Sequence, residues 1–305
     1  MKKLFISLTV LFVLVMSACS NGSTDKKNDA KGSKSETITY QSENGKVEVP
    51  ANPKRVVVLS SFAGNVMSLD VNLVGVDSWS KQNPRFDSKL KDVAEVSDEN
   101  VEKIAELNPD LIIGLSNIKN VDKLKKIAPT VTYTYGKVDY LTQHLEIGKL
   151  LNKEKAAKTW VDDFKKRAQD AGKEIKAKIG EDATVSVVEN FNKQLYVYGE
   201  NWGRGTEILY QEMKLKMPEK VKEKALKEGY YALSTEVLPE FAGDYLIVSK
   251  NKDTDNSFQE TESYKNIPAV KNNRVYEANM MEFYFNDPLT LDFQLDFFKK
   301  SFLGK

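Results

Sequence analysis

The chain has 305 residues, with 45 Lys and Arg against 44 Asp and Glu, one cysteine and one histidine. A balance this close to zero speaks against a nucleic-acid surface, which needs a marked basic excess. With a single thiol there is neither an internal disulfide nor a thiolate metal site.

Lys2 and Lys3 precede LFISLTVLFVLVMSA (Leu4–Ala18), a mostly apolar run. A membrane-spanning helix needs about 20 such residues, so residues 1–18 read as a secretion signal. Ser17 and Ala18 stand before Cys19. This resembles the lipobox of bacterial lipoproteins, although Met16 replaces the commoner leucine. The resemblance implies a diacylglyceryl anchor on Cys19 at the outer face of the cell membrane. SNGSTDKKNDAKGSKSE (Ser20–Glu36) has no large apolar side chain, so residues 19–36 are expected to be a disordered tether. The rest, roughly 270 residues, suits two lobes of ordinary size.

Strand-like and helix-like stretches then alternate. KRVVVLS (Lys54–Ser60) reads as a buried strand, Ala63–Val71 as a short helix and Asn72–Asp77 as a second strand. Val101–Leu107 reads as helix and Pro109–Ser116 as another buried strand. VDKLKKIA is a helix, and Thr130–Tyr135 a strand. Continuous apolar strands separated by helices predict parallel or mixed α/β sheets. Over residues 141–178, Leu145, Leu150, Leu151, Trp160, Val161, Phe164 and Ala168 recur at helical spacing without a proline. The pattern predicts one helix of about 55 Å. Strands are expected again at Thr184–Asn190, Gln194–Gly199, Asp244–Lys250 and Arg274–Ala278, with a closing helix from Asp287.

One phrase occurs twice. EKIAELNPDLII begins at Glu102 and EVLPEFAGDYLI at Glu236. Aligned, Glu106 meets Glu240, Asp110 meets Asp244, and both phrases run into an apolar strand. Two related α/β lobes, at 37–140 and 179–305, are therefore expected on either side of the 141–178 helix.

These features together resemble the class III substrate-binding proteins of iron-siderophore and vitamin B12 importers. YGENWGRG (Tyr198–Gly205) and FNDPLTLDF (Phe285–Phe293) are similar to the ferric-hydroxamate (ferrichrome) binding lipoproteins of Gram-positive bacteria, especially the staphylococcal kind. The resemblance implies two Rossmann-like lobes joined by a single long helix, and capture of a ferric hydroxamate siderophore such as ferrichrome or ferrioxamine for an ABC permease. It implies a non-enzymatic, monomeric protein without a cofactor. The siderophore fills the iron's coordination sphere, so no protein metal ligand is needed. What remains is apolar wall area and a donor for the hydroxamate oxygens.

Trp202 and Arg204, placed between glycines that let the backbone bend, fit those needs. The resemblance assigns both to the ligand, together with Tyr196. The bland alternative is a Trp202 packed on its own lobe and an Arg204 paired with Glu200 or Glu207. Tyr198 shares a strand face with Tyr196 and reads as its core neighbour. Phe62 follows a strand at the carboxyl edge where open α/β sheets bind ligands. Tyr135 ends a strand, and Tyr284 lies just before a helix start. Core packing is the commoner fate of such aromatics. Leu115 stands where relatives often carry tyrosine. Glu102 and Glu236 sit in first helical turns, which the helix dipole alone would favour by about 0.3–1 kcal/mol. The resemblance gives them a second role, meeting permease arginines, one from each lobe.

Other readings are weaker. Haem needs an axial His, Tyr or Met, and His144 falls in the expected interlobe helix, away from the cleft; tyrosine ligation stays open. Zinc or manganese capture uses several His and carboxylates. A catecholate siderophore calls for several basic groups where the pocket offers mainly Arg204. Cobalamin stays open on fold grounds. No G-x-S-x-G, P-loop or G-x-G-x-x-G appears, which leaves a carboxylate-based hydrolase as the enzymatic alternative. A surface adhesin leaves the aromatic and arginine loop unexplained.

Overall fold

A computed structural model describes residues 36–304. The signal segment, Cys19 and nearly all of the tether lie outside the described residues. The chain starts with an antiparallel hairpin, β1 (Thr37–Ser42) and β2 (Gly45–Pro50), which alternation alone did not single out. Buried Tyr40 docks it through a 3.1 Å hydroxyl contact with Tyr133. The first lobe follows as β3 (Val56–Val58), α1 (Ala63–Ser68), β4 (Leu73–Val76), α2 (Ser78–Gln82), α3 (Asp87–Leu90), β5 (Ala94–Glu95), α4 (Val101–Glu106), β6 (Leu111–Leu115), α5 (Val121–Leu124) and β7 (Thr130–Tyr133). Its five-stranded sheet has the order β5-β4-β3-β6-β7 and is wholly parallel. The strand order reverses at β3, and such a reversal opens a crevice at the carboxyl edge.

The helix expected over 141–178 is present in two pieces. α6 (Tyr140–Leu150) ends early, and α7 (Glu154–Ile179) carries the connection with 26 residues, about 39 Å. Asn152 is the cause. It takes a left-handed φ of 56°, its N–H bonds to Lys149 O at 3.1 Å, and the Lys153 N–H bonds to Gly148 O at 2.7 Å. That pair of bonds around a left-handed residue is a Schellman helix stop, and asparagine tolerates the conformation better than most residues. α6 then folds back along α7, with the His144 and Trp160 rings 5.3 Å apart. His144 is thus on α6 and not on the interlobe helix, and it is buried.

α7 buries Ala157, Val161, Phe164, Ala168, Ala171 and Ile175, a stripe at alternating spacings of three and four. Ala157 belongs to the core of the first lobe, and the rest of the stripe to that of the second. The second lobe continues with β8 (Val185–Phe191), β9 (Gln194–Tyr198), a π-helical turn at Glu207–Glu212, α8 (Glu219–Ala225), β10 (Tyr230–Leu233), α9 (Leu238–Phe241), β11 (Tyr245–Lys250), α10 (Glu262–Lys265), α11 (Pro268–Lys271), β12 (Val275–Asn279), α12 (Met280–Phe283) and α13 (Pro288–Leu303). The sheet order is β10-β9-β8-β11-β12, with β8, β11 and β12 parallel and β9 and β10 antiparallel.

The repeated phrase is repeated in space. Asp110 accepts from the Lys54 and Arg55 N–H groups at 2.6 and 2.9 Å, tying the start of β6 to that of β3. Asp244 accepts from Thr184 N and Oγ1 at 2.8 and 2.9 Å, tying β11 to β8 in the same way. Glu102 lies exposed in the first turn of α4. Glu236 lies exposed in a three-residue 3₁₀ turn, Thr235–Val237, that leads into α9. The turn runs directly into α9, and the backbone N–H of Glu236 and the Ser234 side chain hold its carboxyl below the ordinary value, so a capping role is open to it.

Candidate functional site between the lobes

The loop after β9 does not hold its arginine outward. Gly203, Arg204 and Gly205 all have left-handed backbones, with φ of 71°, 59° and 79°. This winds the chain so that the guanidinium turns back under β8. Glycine at 203 is needed twice over, because a Cβ there would sit 2.5 Å from the Tyr284 carbonyl oxygen. The loop is stitched to the segment before α13: the Arg204 N–H donates to Phe283 O at 2.8 Å. Buried Glu207 accepts from the Gly203 N–H at 2.9 Å and from Asn286 Nδ2 at 3.0 Å. Burial pushes the Glu207 carboxyl up despite these donors.

Arg204 is only 5% exposed. Its Nη2 donates to Glu189 Oε1 at 2.7 Å, and its Nη1 to Trp202 O at 3.1 Å. The ion-pair partner is therefore Glu189 on β8, neither Glu200 nor Glu207. Burial works against the guanidinium's charge, but Glu189 more than offsets this and holds it above its ordinary value. The guanidinium carbon lies 4.8 Å from the Tyr198 ring centre and 4.6 Å from that of Tyr284, a cation held between two π faces. Trp79, on α2 of the other lobe, stacks on Tyr284 at 4.6 Å and 12°. A column Trp79, Tyr284, Arg204, Tyr198 thus crosses from one lobe to the other.

A second aromatic group adjoins it. Trp202, 36% exposed, meets Tyr135 of the first lobe edge-on at 5.6 Å and leans on Tyr230 at 4.9 Å. Tyr230 in turn meets Tyr196 at 5.8 Å. Beside the Tyr135–Trp202 contact is a cavity of about 760 Å³, whose lining includes Phe62, Tyr135, Asn201, Glu207 and Asn286. Of the six sequence candidates, Phe62 and Tyr135 line the cavity and Trp202 touches Tyr135 beside it, while Tyr196, Arg204 and Tyr284 lie outside its lining, in the ring contacts just described. Phe62 is mostly a core residue, edge-on to Tyr133 at 5.5 Å, and Tyr198 is a core neighbour that donates to Glu189 at 3.1 Å.

Sequence reading missed Trp79, Tyr230 and Glu189. Trp79 follows the carboxyl end of β4, the same kind of position that singled out Phe62. Glu189 interrupts an apolar strand, VSVVEN, and a carboxylate there must have a partner. Among the described residues no group of three or more His, Cys, Asp or Glu is placed to hold a metal ion.

Two α/β lobes joined by one long helix, with an aromatic crevice between them, define a substrate-binding protein. Residues 64–280 match the model of the periplasmic binding protein family, and the chain belongs to that family. It is 37% identical over 299 residues to the iron(3+)-hydroxamate-binding protein FhuD of Bacillus subtilis, covering 96% of this chain and 95% of that one. It is 39% identical over 308 residues to the iron(3+)-hydroxamate-binding protein YxeB of the same organism, covering 97% and 95%. The structure of FhuD2 from Staphylococcus aureus with bound ferrioxamine B is similar with a TM-score of 0.79 at 36% identity, over 83% of this chain and 99% of that one.

Proposed function

We propose that this protein captures a ferric hydroxamate siderophore in the interlobe crevice and hands it to the permease of an ABC importer. A lipid on Cys19 holds it, as a monomer, at the outer face of the membrane. The observation that carries this reading is the pair of aromatic groups around Arg204, one contributed across the lobes by Trp79 and Tyr284 and the other by Tyr135 and Trp202. Such walls suit a compact complex whose iron is already coordinated: rings supply area, and the guanidinium supplies hydrogen bonds. The relatives named above, with one solved structure holding ferrioxamine B, point to the same ligand class. Glu102 and Glu236, exposed on equivalent elements of the two lobes, are the contacts for the permease. The reading involves no catalytic residue and no cofactor.

Tryptophan fluorescence tests it directly. Trp79 and Trp202 both stand at the crevice, and an iron complex seated there quenches both. Ferrichrome and ferrioxamine B should quench saturably without turnover; haem, cobalamin and a ferric catecholate should not. Saturable quenching by haem or cobalamin alone would reassign the ligand.

A further inference from the structure

The charge of Arg204 is matched by a residue that touches neither solvent nor the cavity. Glu189 on β8 has no exposed surface. Its carboxylate accepts from Arg204 Nη2 at 2.7 Å, from Arg204 Nε at 3.2 and 3.3 Å, from the Tyr198 hydroxyl at 3.1 Å and from the Ser249 hydroxyl. It is therefore fully committed, and Arg204 is held to it along one edge of its fork. Buried as it is, an unmatched Arg204 guanidinium would draw anions strongly, because the interaction is weakly screened. Matched at 2.7 Å by a carboxylate, it presents hydrogen-bond donors but no net charge. Glu207, the other buried ionisable group of the loop, adds no positive charge in either protonation state. Lys137, Lys165 and Lys214 also line the cavity, Lys137 paired with Glu43 at 3.2 Å, and Asp139, Glu200, Glu207 and Glu212 of the same lining offset them.

We infer that Glu189 is a specificity-determining residue: by cancelling the charge of Arg204 inside the wall, it makes the crevice accept ferric complexes that carry no net negative charge and reject anionic ones. Three hydroxamates supply three negative charges to Fe³⁺ and give a neutral core; three catecholates supply six and leave a trianion. Arg204 then works on the ligand through its remaining N–H groups and not through net charge. This rests on the siderophore reading above.

The test is a charge-selectivity ratio, the Kd for a ferric tris-catecholate divided by the Kd for ferrichrome, from fluorescence quenching, with circular dichroism as the check on folding. The wild-type ratio should be about 100 or more, and Glu189→Gln, which leaves Arg204 unmatched, should lower it at least about tenfold. Removing both charges in Glu189→Gln/Arg204→Gln should restore the high ratio even where both affinities are weaker. Glu189→Asp keeps the carboxylate and should keep the ratio. A folded Glu189→Gln protein with ferrichrome binding and an unchanged ratio would overturn the inference while leaving the siderophore reading intact. A wild-type ratio near one, or a Glu189→Asp ratio as low as that expected for Glu189→Gln, would overturn it even if Glu189→Gln does not fold. Wild-type protein that binds neither complex would instead sink the siderophore reading.

Discussion

Arg204 is a proposed ligand contact that the fold also holds in place. A non-glycine residue at φ 59° is an uncommon conformation, and here the loop is held in it by Glu189, Phe283 and Glu207. Replacing Arg204 by alanine would strand a fully buried carboxylate. Breaking such a pair by removing one partner costs about 3–5 kcal/mol. Arg204→Ala should therefore show a lower urea midpoint as well as weaker siderophore binding, and Arg204→Lys should fall between it and wild type. An Arg204→Ala protein with a wild-type midpoint would mean that the pair does not hold the loop. Some of this was readable beforehand. Glycines flanking a tryptophan and an arginine mark a loop bent for a purpose, and a glutamate inside VSVVEN marks a buried charge. What could not be read was that the two belong together. They are fifteen positions apart, and only the return of β9 beside β8 brings the loop back to that strand.

At the scale of elements, the seam between the lobes runs along α1. Asn65 Nδ2 donates to His144 Nδ1 at 3.3 Å, and His144 Nε2 has no partner. Gly64 lies so close to Asp287, the N-cap of α13, that a Cβ there would overlap the carboxylate. Burial lowers His144 from its ordinary 6.5 to about 4 and raises Asp287 from 3.8 to about 6. The signs oppose. Between about pH 6.5 and 4 the unfolded chain takes up the histidine proton first, so acidification costs stability. Between about pH 6 and 3.8 the folded chain takes up the Asp287 proton first, so acidification adds stability. The two contributions should nearly cancel in the wild type. Asp287→Asn keeps a good cap and removes one of them, so on going from pH 6.5 to 4 it should lose about 3 kcal/mol more than wild type. His144→Gln should change in the opposite direction. Urea midpoints at pH 6.5, 5 and 4 check this, and parallel curves for the three proteins would refute it. Element boundaries show the same division between readable and hidden. The α7 stripe was visible from its apolar period. The stop at Asn152 was not, because asparagine is ordinary inside a polar helical run until a left-handed turn selects it.

For the whole molecule, three links resist a wide hinge. α7 feeds both cores, Trp79 stacks on Tyr284, and Arg85 pairs with Glu282. Binding should therefore change the relation of the lobes little, and solution scattering with and without ferrichrome should give nearly equal radii of gyration. A large fall on binding would count against it. A fixed spacing between lobes also suits a permease that reads Glu102 and Glu236 together. Glu102→Ala/Glu236→Ala should retain ferrichrome affinity yet fail to support iron uptake by cells, with each single change less severe. Normal uptake by the double variant would remove the docking role, and lost affinity would move these residues to the crevice. The two lobes were legible from the repeated phrase, since each copy builds the same Asp-tied strand pair. The cross-lobe contacts were not, because nothing in a sequence period tells which lobe an aromatic will lean on.

Phe285 carries a consequence for how the chain is made. It lies in the second half of the sequence, yet its ring is buried in the core of the first lobe, stacked on Phe86 at 5.8 Å. Domains ordinarily fold as they emerge, N-terminal first. Here the lobe that leaves the ribosome first has a gap in its core until Phe285, about 150 residues after its last strand, has followed it. During synthesis its β3 to β7 sheet must stay soluble while incomplete, and the first lobe reaches its final form only when the segment carrying Phe285 arrives.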